Sequence, residues 1–137
     1  MSVWFIYVGG GDTLATTMRW FCLILSKYTE IQDKCYNEVN DCFIKNGKYI
    51  QEDCPYLNAT MEENFRFRPI GDSLLHTTTD NVEIDGFVIP KGSAVQASLL
   101  SVMNDPDYFH EPEKFKPERY LTQTGNGLTF KVNTSLV

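Results

Sequence analysis

Three consecutive glycines, Gly9, Gly10 and Gly11, interrupt what otherwise reads as one apolar helix from about Val3 to Tyr28. Each interior glycine costs a helix about 1 kcal/mol relative to alanine, so three together predict a local distortion. On one side lie Val3, Trp4, Phe5, Ile6, Tyr7 and Val8, and on the other the run Phe21 to Leu25. A helix apolar nearly all round belongs in the middle of a domain, with neighbours on every face. It begins abruptly, as though a sequence that packs beside it lay upstream. Asp12 and Arg19 break the run of about 20 apolar residues that a membrane span needs. No basic stretch precedes it, so it is a poor signal peptide as well. The glycines carry no G-K-[ST] and follow no strand pattern, which argues against a phosphate loop. Asp12 and Thr13 come directly after them. An acid and a hydroxyl in a helix groove can relay protons to a bound ligand, or they simply belong to a kinked, well-packed helix.

Downstream the periodicity stays helical for two more elements. Thr29-Glu30-Ile31-Gln32 has the capping-box form, and the helix after it carries Ile31, Cys35, Val39 and Phe43 on one stripe. Asp33, Lys34, Asn37 and Asp41 take the opposite face, and Asn46-Gly47 ends it. Pro55 favours the first turn of a helix that runs to about Phe67, where Pro69 forbids continuation. Its apolar stripe is Leu57, Met61 and Phe65. After Arg68 the period changes to that of strands. Thr77 to Ile84 and Phe87 to Ile89 flank Asp85-Gly86, a two-residue hairpin signal. Pro90-Lys91-Gly92 turns into a strand over Ser93 to Leu100, and Asn104-Asp105-Pro106 starts a short helix. Beyond Tyr120 no clear element is expected. The fold class is therefore mainly α with a small antiparallel β-sheet, in one domain rather than two.

A net charge of −6, with basic residues scattered singly, excludes direct nucleic-acid binding. The four cysteines, Cys22, Cys35, Cys42 and Cys54, show no C-x-x-C spacing of a zinc or redox site. Cys35 and Cys42 lie two helical turns apart, too far for a mutual disulfide. Reduced, partly buried thiols fit a chain facing a reducing compartment.

Two further groups carry chemistry. Glu63 and Arg66 share a helix face at i, i+3, as an exposed pair does, or as a buried one would. Phe115-Lys116-Pro117-Glu118-Arg119-Tyr120 supplies an arginine able to join them. Read in order, Gly9 to Thr13 (G-G-x-D-T), Glu63 to Arg66 (E-x-x-R), Ile89 to Gly92 (I-P-K-G) and Pro117 to Tyr120 (P-E-R-[FY]) resemble the serial motifs of cytochromes P-450. The flanks Thr16 to Trp20, Glu30 to Gln32, Pro55 to Ala59 and Asn104 to Pro106 agree. The resemblance covers Gly9 to Leu121 and is to the microsomal eukaryotic type.

That resemblance implies a partial domain, from the long glycine-bearing helix to just before the family's cysteine loop. Asp12 and Thr13 would be the catalytic residues that deliver protons during dioxygen activation. Gly10 and Gly11 would open the groove for oxygen. His76 would meet a haem propionate, an anion suited to a donor side chain; outside the family such a histidine is an ordinary surface residue. Glu63, Arg66 and Arg119 would form a structural network, and Ile70 to Leu75 would border the substrate pocket. The implied cofactor is haem b, with NADPH acting indirectly through a flavoprotein reductase. The implied substrate is small and apolar. The complete protein is expected on the cytosolic face of the endoplasmic reticulum membrane, held by an N-terminal anchor absent from these residues.

One departure opposes this. The family's iron ligand is a cysteine thiolate downstream of P-E-R-[FY], and here no cysteine follows Cys54. No metal ligand is therefore assigned. The tail Thr122 to Val137, with Gly125, Gly127 and Phe130, reads as a frame change, a retained intron or the end of a gene model, aberrant or disordered. Two functions follow: a haem-dependent monooxygenase known here through a partial chain and inactive without its thiolate, or a truncated product that is at most a binding or interaction module.

Overall fold

The computed structural model describes residues 7–124 and 127–131. Val3 to Ile6, Gly125, Asn126 and residues 132–137, on which parts of the helix and tail expectations rest, lie outside the described residues. The contacts divide the chain into two compact units: one runs to Ile70 and resumes at Glu113, the other is Gly71–Pro112.

In the first unit the glycine group forms a π-helical turn, Val8–Asp12, continued without a break by α1, Thr13–Lys27. α2 follows at once as Thr29–Asn46, and α3 is Pro55–Phe67. Pro55 occupies the first turn of α3, where a missing N–H is harmless, and Gly47 ends α2 in the left-handed region at φ 68°. The expected capping box does not form. Tyr28 is the N-cap, and its carbonyl accepts from Ile31 N (3.0 Å) and Gln32 N (3.1 Å). The Tyr28 ring stacks on Phe115 with centroids 5.6 Å apart, and this packing fixes the junction of α1 and α2 one residue early.

The expected stripe on α2 also shifts. Ile31 and Cys35 are buried, but Cys42 replaces Phe43, which is 49% exposed. Steps of four residues drift by about 40° around a helix, whereas seven residues return to within about 20°. Ile31, Cys35 and Cys42 therefore share a face that Phe43 has left. On α3 the correction is larger. Met61 and Phe65 are 42% and 41% exposed, while Tyr56, Ala59, Thr60, Glu63, Asn64 and Arg66 are buried. α1, expected to be covered all round, buries only Ile24 fully; Leu14, Met18 and Leu23 are exposed. Among the described residues α1 packs on α2 and α3, so it has neighbours on one side only. The core joins Ile24, Ile31, Cys35, Tyr56 and Phe115.

Tyr120 closes a 3-10 turn, Pro117–Tyr120, and a hairpin follows it where no element was expected. β5 (Leu121–Thr124) pairs antiparallel with β6 (Gly127–Phe130), Leu121 opposite Phe130.

The second unit holds β1 to β4. β1 (Ser73–Thr77) pairs antiparallel with β4 (Ala94–Ser98), and β2 (Val82–Ile84) with β3 (Phe87–Ile89). Asp85 and Gly86 have φ of 50° and 82°, the paired left-handed values that a two-residue hairpin turn requires. The single strand expected over Thr77 to Ile84 is two strands separated by a turn. There the Thr78 hydroxyl donates to the Pro90 carbonyl at 2.8 Å, and Asn81 Oδ1 accepts from Lys91 N at 2.8 Å. The strand expected to reach Leu100 stops at Ser98, whose hydroxyl caps the five-residue α4, Leu99–Met103, by accepting from Ser101 N. Asn104-Asp105-Pro106 starts a lone turn, held by Asp107 N donating to Asp105 Oδ1 at 2.9 Å, and not a helix. The molecule is thus mainly helical with small antiparallel sheets. Among the described residues no helix is long and apolar enough to cross a membrane.

Burial makes an alkaline limit in the first unit. It pushes the Cys54 thiol up from 9.0 to about 11, helped by the neighbouring Cys42 thiol, and Tyr120 up from 10.0 to about 12. Both folded values lie above the unfolded ones, so the neutral groups' contribution is complete below pH 9 and is lost as pH rises through 11 and then 12. The denaturant midpoint is expected to stay level from about pH 7 to 9 and then fall. A midpoint still level at pH 11 would contradict this burial.

Candidate functional site

α3 carries its charges inward because three partners converge on one carboxylate. Glu63 has 0% exposure and Arg66, one turn on, 2%. Arg66 Nε donates to Glu63 Oε2 at 2.8 Å and Nη2 to Oε1 at 2.9 Å, a bidentate pair within one helix. Arg119, from the 3-10 turn, places Nε 3.1 Å from Oε1 and 3.0 Å from Oε2. The Lys116 backbone N–H donates to Oε1 at 2.9 Å. Both guanidiniums also reach the Lys114 carbonyl, Arg119 at 3.2 Å and Arg66 at 3.4 Å. One buried carboxylate thus ties α3 to the segment 114–119, 53 residues away along the chain at Lys116. Phe115 is pinned in the same segment, edge-on to Phe67 and stacked on Tyr28. The structure therefore brings together Glu63, Arg66 and Arg119.

At the π-helical turn, Thr13 Oγ1 donates to the Gly9 carbonyl at 2.6 Å, and Thr17 Oγ1 to the Thr13 carbonyl at 2.9 Å. A hydroxyl has one proton. With that proton given to Gly9, Thr13 offers only lone pairs to anything else. Asp12 is exposed beside it, and a Cβ built on Gly9, Gly10 or Gly11 would meet no atom within 4 Å. Single π-helical turns inside an α-helix recur at functional sites. His76 lies in the other unit, exposed on β1 opposite Val95, and Leu74 and Leu75 beside it are exposed too.

The sequence reading missed Glu38. Its carboxylate accepts from Tyr56 N at 2.9 Å and Leu57 N at 2.8 Å, holding the start of α3. Its place seven residues after Ile31, on the buried face of α2, was the available signal. The cysteine donor set does not fit a haem-thiolate centre. Cys54 is 0% exposed with its pKa raised, and burial also raises Cys35, which sits 3.4 Å from Thr60 Oγ1. Cys42 is wrapped by backbone, with Ile50 N 3.2 Å from its sulfur. Cys22 is exposed, but on α1 itself. Among the described residues no group of three or more His, Cys, Asp or Glu could hold a metal ion.

The Cytochrome P450 family profile matches residues 1–134. Cytochrome P450 2E1 of Bos taurus is 41% identical over 121 residues, covering 85% of this chain and 24% of that relative. Cytochrome P450 monooxygenase claR of Ampulloclitocybe clavipes is 34% identical over 125 residues, covering 88% and 23%. A zebra fish cytochrome P450 solved with progesterone superposes with a TM-score of 0.77 at 26% identity, over 82% of this chain and 28% of its own. The chain spans about a quarter of the length of the curated relatives it matches.

Proposed function

The chain belongs to the cytochrome P450 family, and from that premise we propose that the protein these residues help to form is a haem-dependent monooxygenase. Its reaction inserts one oxygen atom from dioxygen into a small apolar substrate. The observation that supports this reading is the pairing of a glycine-opened π-turn, which presents Asp12 and Thr13, with the buried cluster of Glu63, Arg66 and Arg119. Haem b, when bound by the complete protein, supplies the oxygen-activating chemistry. Asp12 takes protons from water at its exposed carboxylate and hands them to Thr13. Thr13 passes a proton outward only by releasing the Gly9 carbonyl. Gly10 and Gly11 keep that side of the helix open, and His76 would be a donor side chain for a propionate of the haem. Glu63, Arg66 and Arg119 hold the fold and touch no reactant. Electrons come from NADPH through a flavoprotein reductase, and the setting is the cytosolic face of the endoplasmic reticulum membrane.

The experiment is to produce the complete protein with its reductase and compare Asp12→Asn with the parent. Removing a proton-delivery group typically costs about 10²-fold or more in rate. Product formation is expected to fall by that factor, with haem content and substrate binding unchanged. An unchanged product rate would remove Asp12 from the proposal.

A second reading has its own observation: none of the four cysteines is placed as a thiolate ligand. On that reading these 137 residues alone are a non-catalytic fragment, at most an interaction module.

A further inference from the structure

We propose that Cys42 and Cys54 are a dithiol that closes into a disulfide when the protein meets a low-molecular-weight disulfide such as oxidised glutathione. The bond staples the end of α2 to the start of α3. Both sulfurs are interior, Cys42 at 3% exposure and Cys54 at 0%. The chain leaves α2 through the left-handed Gly47, doubles back to Ile50, makes a single 3-10 turn at Gln51–Asp53 and arrives at Cys54. That return seats Ile50 on Cys42: Ile50 N donates to Sγ at 3.2 Å, and the Lys48 and Ile50 carbonyls lie 3.6 and 3.7 Å from it. The turn closes with Asp53 N on the Ile50 carbonyl (3.2 Å) and Cys54 N on that of Gln51 (3.1 Å). Cys54 thus sits one tight turn from the backbone that touches the Cys42 sulfur. Asn46 spans the same gap from the other side. Its Nδ2 is 3.7 Å from Cys42 Sγ and 2.7 Å from Oδ2 of Asp53, the residue before Cys54. The Cys42 thiol is also among the neighbours that push the Cys54 thiol up.

Within α2 no second cysteine competes for Cys42. Cys35 is two helical turns from Cys42, about 10 Å along the axis, beyond disulfide reach. Cys22 is exposed on α1.

The exchange balances without further reagents. One thiol loses its proton, attacks a sulfur of oxidised glutathione, and a glutathione thiolate leaves. The second thiol then loses its proton, attacks the protein sulfur of the mixed disulfide and expels the other glutathione. Two protein thiols are oxidised by two electrons, one glutathione disulfide is reduced to two thiols, and the two protons end on the leaving sulfurs. Because both thiols are buried, the first attack awaits opening of the segment 47–53, where Lys48, Tyr49, Gln51 and Glu52 are exposed. Closure is therefore slower than glutathionylation of Cys22.

The test is to incubate the 137-residue chain in a glutathione redox buffer, native and in guanidinium, alkylate free thiols, and map peptides by mass. In the native sample the dominant crosslink is expected between the Cys42 and Cys54 peptides, with the loss of two hydrogens, and none between Cys35 and Cys42. In guanidinium the shorter Cys35–Cys42 span closes more easily and is expected to appear. Cys54→Ser should abolish the native crosslink; if that variant does not fold, the native-against-denatured contrast in the parent still decides. Cys42 and Cys54 both recovered as free thiols after Cys22 is fully modified would overturn the proposal. So would the same crosslink pattern in both samples.

Discussion

Glu63→Ala is expected to abolish the cooperative unfolding transition of this chain, or to lower its stability by about 3–5 kcal/mol where a transition survives. The carboxylate is the common partner of two guanidiniums whose side chains are 1% and 13% exposed. Removing it leaves two cations facing each other in a low-dielectric interior, with the Lys116 N–H stripped of an acceptor. A whole domain has a margin of only about 5–15 kcal/mol, so one such loss takes much of it. The control is Lys34→Ala. Lys34 pairs with Glu118 at 3.3 Å, but both side chains are more than half exposed, and such pairs contribute about 0–1 kcal/mol. Replacing all three ionic residues by apolar ones of similar size should recover part of the loss, since a buried ion pair is repaid poorly for its own desolvation. Recovery stays partial because the Lys114 carbonyl and Lys116 N–H belong to the same network. Thermal and denaturant melts followed by circular dichroism decide the matter. Equal melting of Glu63→Ala and Lys34→Ala would show that the cluster has no structural weight.

The features legible in the sequence are those written in local chemistry. Three glycines forecast the disturbed helix, Asn46-Gly47 the left-handed end of α2, Pro55 and Pro69 the bounds of α3, and Asp85-Gly86 the β2–β3 turn. Each is settled within a few residues. β1 is different: Ser73 to Thr77 pairs with Ala94 to Ser98 about twenty residues on, and its own pattern gives no alternation to read. The β5–β6 hairpin was missed because its flanks Leu121-Thr-Gln-Thr and Gly-Leu-Thr-Phe are weakly apolar.

The inner face of α3 shows the deeper limit. Apolar periodicity finds a buried stripe only where burial is driven by apolar surface, and it chose Leu57, Met61 and Phe65. The packed face instead carries Glu63, Asn64 and Arg66, and Glu63 takes partners 53 and 56 residues away along the chain. The stripe that was chosen lines an open apolar groove of about 200 Å³ between α1 and α3, with Thr17, Met18 and Phe21 on its other wall. The motif E-x-x-R located the ionic pair, but no rule of spacing stated that it would be dry.

Supplied with haem, reduced and exposed to carbon monoxide, the 137-residue chain is expected to give no red-shifted Soret band of the thiolate type. A ligand thiolate must be ionised and must face open space. Cys54, with its pKa near 11 and no exposed surface, is almost wholly protonated at neutral pH. Cys42 is held by the backbone at Lys48 and Ile50, and Cys35 is sealed against Thr60, with burial raising its pKa. Only Cys22 has the exposure. It lies on α1 nine residues beyond Thr13, about 14 Å along the helix. On the proposed reading Asp12 and Thr13 would face the bound haem, and a sulfur that far along the same helix is not placed to hold its iron. Binding of haem through another donor, or adsorption on the apolar surface of α1, would leave a band without thiolate character. That band should be unchanged in Cys22→Ala. A thiolate-type band in the parent chain that disappears in Cys22→Ala, or in any of the other three cysteine variants, would show that one of these sulfurs reaches the iron after all.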